Sequence, residues 1–160
     1  MRDVICDTSP IQYLHQLGLL HILRTLAGDV IVPPAVQDEL AEGRVLGVNL
    51  PDLAALDWIT VRRPVSEPAL RLVVDLGPGE AEVLMLGLET PEAVVVLDDA
   101  LARRVAETIG LPLTGTLGLL LDAKRAGLIQ ALGPLLDQLQ ALNFRVASRT
   151  RAAVLELAGE

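Results

Sequence analysis

Four acids stand where an open-sheet protein places its chemistry. Asp7 directly follows the apolar run Val4-Ile5-Cys6, and Asp98 directly follows Val94-Val95-Val96-Leu97. In open parallel sheets ligands gather at the carboxyl ends of strands, where both acids fall. Helical phase selects two more. Glu80 shares a stripe with Leu84 and Leu88 at the start of a helical segment, and such a stripe is expected to face the core. Glu82, turned about 160° from it, is expected in solvent. Glu39 lies beside the stripe of Val36 and Leu40, while Asp38 points away. Each acid also has a plain structural reading, as a helix cap or a boundary residue, and Asp98 or Asp99 can cap the helix that follows them. Four carboxylates in one crevice repel one another and raise their pKa values unless a cation shares the site. All-oxygen ligands select hard ions, so Mg²⁺ or Mn²⁺ is the expected occupant. The chemistry such a centre performs is attack on a phosphodiester by a metal-activated water.

The elements that would position these acids alternate between strand and helix. Strands are expected at Val4–Cys6, Val30–Val32, Trp58–Val61, Ala93–Leu97 and Leu111–Leu113. Ser9-Pro10 reads as a cap and first helical residue, opening helical sequence to about Ala27 that breaks at Gly18. Pro33-Pro34 ends the second strand and starts a helix from Ala35 to Ala41. Further helices are expected over Ser66–Val74, from the Gly77-Pro78-Gly79 break to Glu89, and over Ala100–Ile109, with Leu101, Val105 and Ile109 on one stripe. Three more cover Leu117–Ala126, Leu132–Leu142 and Thr150–Ala158. This alternation predicts an α/β domain with a mainly parallel sheet. Without repeats, low-complexity tracts or a flexible linker, residues 1–160 read as a single domain.

Composition sets the outer bounds. The chain has 160 residues, 51% of them hydrophobic, which suffices for a core and excludes disorder. A lone Cys6 permits no intrachain disulfide and no all-Cys zinc site, and with it a reducing, cytoplasmic setting is expected. No apolar run reaches the roughly 18 residues that cross a bilayer, and the start lacks a signal peptide's features. Net charge is -8, from 13 basic and 21 acidic residues, against an electrostatic nucleic-acid coat. A metal-loaded acidic pocket reconciles that charge with an anionic substrate.

Five segments taken in order carry a family likeness. They are Val4-Ile5-Cys6-Asp7-Thr8-Ser9-Pro10, Val32-Pro33-Pro34-Ala35-Val36-Gln37-Asp38-Glu39-Leu40, Gly79-Glu80-Ala81-Glu82, Val96-Leu97-Asp98-Asp99 with Ala102-Arg103, and Thr114-Gly115-Thr116-Leu117-Gly118. With them the chain resembles the PIN-domain ribonucleases, and within these a VapC-like branch. The resemblance implies a three-layer α/β/α fold with a four- or five-stranded sheet. It also implies a Mg²⁺- or Mn²⁺-dependent endoribonuclease, often the toxin partnered by a small antitoxin protein and often a homodimer. Asp7, Glu39, Glu80 and Asp98 match the family's acids in turn, as catalytic and metal-binding residues, and Thr8 and Thr116 match hydroxyl positions that assist them. Glu80 stands where many members have Asp, and the adjacency of Asp98 and Asp99 leaves open which reaches the metal. The alternative is a degenerate PIN-like module that binds RNA or protein without cutting.

Other constellations are weaker. Leu76-Gly77-Pro78-Gly79-Glu80 lacks the Lys and Ser/Thr of a phosphate-binding P-loop. Gly115-Thr116-Leu117-Gly118 could cradle a phosphate at a helix start, although a plain strand-to-helix turn explains it as well. Ser9 has no His partner, and His15 and His21 fit partly buried structural roles. A receiver-like domain needs a late Lys, for which mid-helix Lys124 is a poor candidate, and a HAD-type phosphatase needs Asp where Ser9 stands. Among the arginines that could position RNA phosphates, Arg103 lies nearest the acidic end of its helix.

Overall fold

The inner strands are short apolar runs closed by residues that suit the turns after them, and threonine enters two others, at Thr60 and Thr114. The computed structural model describes residues 1–65 and 75–160. Within these, β1 (Val4–Cys6) stops at Asp7, β2 (Val30–Val32) at Pro33, and β4 (Val94–Val96) just before Leu97 and Asp98; β3 (Ile59–Val61) and β5 (Leu113–Thr114) form the edges. The five strands pair in parallel in the order β3-β2-β1-β4-β5. Helices α1 (Thr8–Gln16), α2 (His21–Leu26), α3 (Pro34–Val45), α4 (Pro78–Glu89), α5 (Ala100–Thr108), α6 (Thr116–Arg125), α7 (Gly133–Ala141) and α8 (Ser148–Leu157) complete the three-layer α/β/α architecture that the family resemblance implies. A 3₁₀ turn at Leu53–Ala55 is an addition, stabilised by Asp52 accepting from the Ala54 N–H at 3.1 Å. The helix expected over Ser66–Val74 lies outside the described residues.

The strand order places a reversal between β1 and β4, because the chain builds outward from β1 in one direction and from β4 in the other. That crevice is where open α/β sheets bind ligands. Register sharpens the point: Cys6 pairs with Val96, and the Asp7 N–H donates to the Val96 carbonyl at 3.1 Å. Asp7 and Asp98 therefore leave neighbouring strands at the same edge. Beneath them Ile5, Ile31, Val95 and Leu97 are fully buried in one apolar cluster, each such side chain stabilising the fold by roughly 1.5–3 kcal/mol.

Two expected stripes differ from the observed ones. Leu84 is fully buried but Leu88 is 50% exposed, and α4 buries Val83, Leu84, Leu86 and Gly87 instead. On α5 the buried residues are Ala102 and Ala106, while Ile109 is 37% exposed. On α4 Gly87 permits close approach to Val95 of β4, and on α5 two alanines form the buried face. Helix boundaries also move: α3 continues to Val45, well past Ala41. The α1–α2 break does fall at Gly18, whose φ of +72° suits glycine. His15 is half-buried and bonded to Asn49, but His21 is exposed, contrary to expectation. No helix among the described residues is long and apolar enough to cross a membrane.

Candidate active site

Helix α1 begins directly at the end of β1, so its first turn projects into the crevice. Asp7 occupies the N-cap position, yet its carboxylate makes no capping hydrogen bond. It is 3% exposed, and its Oδ1 is buried without a hydrogen-bond partner among the described residues. Ser9 is thus not the cap the sequence suggests; Thr8 and Ser9 belong to the first helical turn. Their hydroxyls diverge. Thr8 Oγ1 donates to Glu39 Oε2, and Ser9 Oγ donates to Asp98 Oδ2 at 3.0 Å.

Each remaining acid arrives from a different element. Glu39 projects from α3, where Val36 and Leu40 are buried and Asp38 is exposed as expected. Its Oε1 accepts from the Gly79 N–H at 3.2 Å, which ties α3 to the start of α4. Gly79 is pressed against the acids: a Cβ there would lie 2.8 Å from Glu39 Oε1 and 3.0 Å from Asp7 Oδ1. Glu80, the next residue, is half-buried in the first turn of α4, a position that favours negative charge. Asp98 follows β4 and is the most firmly held of the four. Thr116 donates to it twice, from N to Oδ1 at 2.8 Å and from Oγ1 to Oδ2 at 2.7 Å. Asp99 instead caps α5, accepting from the Ala102 N–H at 2.9 Å.

The electrostatics follow from this crowding. Burial pushes the Asp7 carboxyl up from its usual 3.8 to about 7, with Glu80, Glu39 and Asp98 adding repulsion in that order, partly offset by the Thr8 backbone N–H. A carboxyl kept so far from its normal range in a crevice marks a functional-site candidate. Burial, again reinforced by Asp7 and Asp98, pushes the Cys6 thiol far above the normal range, so it is no nucleophile.

All four sequence-selected acids, with Thr8 and Thr116, thus meet at one end of the sheet. Glu82 departs from expectation. It is half-buried, and its Oε2 accepts from the Ala35 N–H at 2.8 Å, satisfying an orphan donor at the start of α3.

The family model DUF3368, described as a PIN domain, matches residues 3–160. The chain belongs to the PIN-domain family. No curated protein matches it. Membership agrees with the nuclease-type fold seen here, and PIN domains in general use divalent metal ions. Whether this PIN domain fits such an ion is a question for its own residues. Among those described, no group of three or more His, Cys, Asp or Glu is drawn tightly enough together to hold one as the side chains stand. The donor set is nevertheless wholly of carboxylate oxygens, as a hard ion requires. The orphaned Asp7 Oδ1 is the feature a cation would satisfy, because a buried charged oxygen without a partner is costly. On that observation the residues fit.

Sequence reasoning missed Ser9 as a partner of Asp98 and Gly79 as the spacer between Asp7 and Glu39. Ser9's place in the same helical turn as Thr8 was the available signal, but its contact joins residues 89 apart in the chain. Nothing local in the sequence marks Gly79's role.

Proposed function

We propose that this PIN domain is a Mg²⁺- or Mn²⁺-dependent endoribonuclease that hydrolyses RNA phosphodiester bonds. The observation that carries the reading is the buried, partnerless Asp7 Oδ1 facing three other acids at the sheet's switch point. Asp7 and Asp98 would be the principal holders of the ion, with Glu39 and Glu80 completing the site. When bound, such an ion supplies an activated water and neutralises charge on the phosphate. The chain's own residues do the positioning. Ser9 and Thr116 fix the Asp98 carboxylate through three hydrogen bonds. Thr8 and the Gly79 N–H fix Glu39 from opposite sides. Glu39 and Glu80 then orient the attacking water.

The adjacent acids separate by experiment. Asp99→Ala is expected to cost about 1 kcal/mol of stability through the lost cap, with Mn²⁺ affinity retained. Asp98→Ala is expected to lower Mn²⁺ affinity sharply. Thermal unfolding and calorimetric titration of both variants check this, and affinity lost in Asp99→Ala but kept in Asp98→Ala would exchange the two roles.

A VapC-like toxin paired with a small antitoxin protein, acting as a homodimer in the cytoplasm, belongs to the same reading and rests on the family likeness. Exposed Val45 and Leu46 at the end of α3 offer apolar surface for such contacts. The lack of a tightly gathered ligand group among the described residues favours a second reading, a degenerate module that binds RNA or protein without cutting. A panel of structured RNAs incubated with Mn²⁺, with Mg²⁺ and with chelator decides between them. Metal-dependent cutting is expected; folded protein that neither cuts nor binds Mn²⁺ would favour the degenerate module.

A further inference from the structure

Four carboxylates attract a cation but repel the phosphodiester that must lie beside it. An attractive group fixed at the same edge would offset that repulsion, and Arg103 stands there. Its Nη1 donates to the carbonyl of Leu97, the residue before Asp98, at 2.8 Å. Gly115, at the N-cap of α6, measures how near the guanidinium comes to the acids. A Cβ on that glycine would lie 2.8 Å from Arg103 Nη1 and 2.8 Å from Asp98 Oδ1. The cation and the carboxylate thus converge on one glycine, which has no side chain to separate them.

Arg103 is also anchored without being neutralised. It sits one turn into α5, its backbone N–H bonded to the Asp99 carbonyl at 2.9 Å. Among the described residues the Leu97 carbonyl is the guanidinium's one hydrogen-bond partner, and no carboxylate lies within ion-pair distance. Other arginines differ: Arg151 pairs with Asp137 at 2.9 Å, and Arg44 with Asp52 at 3.5 Å. Guanidinium has five donors in a planar fork that matches two phosphate oxygens. With one donor spent on Leu97, the half-buried Arg103 keeps donors for a ligand while its stem stays fixed.

We propose that Arg103 binds a phosphate of the substrate strand on the Asp98 side of the site. This rests on the nuclease reading above, and it makes Arg103 a substrate-binding residue rather than a support for Asp98.

The test separates those roles. Binding of a short fluorescein-labelled single-stranded RNA with phosphorothioate linkages, which resist cutting, is followed by anisotropy in the otherwise native chain with Mn²⁺ present. Adding Arg103→Ala is expected to weaken binding about tenfold and to reduce the slope of log affinity against log salt by about one. Arg103→Gln retains a donor for the Leu97 carbonyl but loses the charge, so it should weaken RNA binding to a similar degree. It also serves if the alanine variant misfolds. In the otherwise native chain, both variants should hold Mn²⁺ within about twofold of the parent, whereas a residue that merely supported Asp98 would act through metal affinity. RNA affinity indifferent to Arg103, full rescue by Gln, or Mn²⁺ affinity falling in step with RNA affinity would each overturn the proposal. So would a failure of the Mn²⁺-loaded native chain to bind this RNA with Arg103 in place. Cutting by the native chain tests the nuclease reading separately, so a chain that cuts RNA but ignores Arg103 overturns this inference alone.

Discussion

Asp7→Asn is expected to abolish cleavage and, in the absence of metal, to make the protein more stable at neutral pH. Both effects come from one buried carboxylate. In the folded chain its pKa stands near 7 against an ordinary 3.8, a difference corresponding to at most about 4 kcal/mol. Below the ordinary value the group is protonated whether folded or unfolded, and stability is untouched. As pH rises from about 4 through 7, the unfolded chain gives up its proton first and stability is lost, with the full penalty present above the folded value. Asparagine carries no such penalty. Melting curves without metal should therefore show the variant several degrees above the parent at pH 8 and little different at pH 4. Added Mn²⁺ should reverse the order at pH 8, because an ion that binds only the folded parent stabilises only the parent. Cleavage should fall by at least about 10²–10³-fold, as when a preorganised electrostatic group is removed. A variant that melts below its parent at pH 8 without metal, or that cuts normally, contradicts this account of Asp7.

Gly79→Ala is expected to give a folded protein with a damaged site. Gly79 has no left-handed backbone conformation to lose, and alanine suits a helix better than glycine. The added methyl, however, would lie 2.8 Å from Glu39 Oε1 and 3.0 Å from both Asp7 Oδ1 and Glu39 Oε2. The end of the Glu39 side chain is the part free to yield. Its movement breaks the bond from Thr8 and the bond from the Gly79 N–H. Losing two groups that orient an acid should reduce Mn²⁺ affinity and cleavage by about 10–100-fold, with circular dichroism unchanged. Native activity in this variant would show that the Glu39 placement is not needed.

How far the sequence foretold this arrangement depends on the range of each interaction. The three inner strands are legible because each is an unbroken apolar run followed within a residue or two by Asp or Pro. Asp7 and Asp98 are legible for the same reason, as the residues that end such runs. The amphipathic stripes of α4 and α5 mislead, because periodicity counts only large apolar side chains, while small residues, Gly87 on α4 and Ala102 and Ala106 on α5, also take buried positions. Gly87 shows this: a Cβ there would meet Val95 at 2.8 Å and Leu111 at 2.9 Å. Glu80 shares its expected stripe with the exposed Leu88, so its arrival beside Asp7 owes more to its place in the first turn of α4 than to that stripe. Glu82 misleads differently. Its partner, the Ala35 N–H, is 47 residues away, and no local pattern distinguishes an acid that caps another helix from one in water.

The most direct measurement is calorimetric titration of Mn²⁺ into the native chain and into Asp7→Asn, near pH 6.5, in two buffers of different ionisation enthalpy. With Asp7 still largely protonated at that pH, the account predicts binding by the native chain with release of up to about one proton, and loss of both in the variant. Mn²⁺ binding that survives Asp7→Asn, or no binding by the native chain, would contradict it.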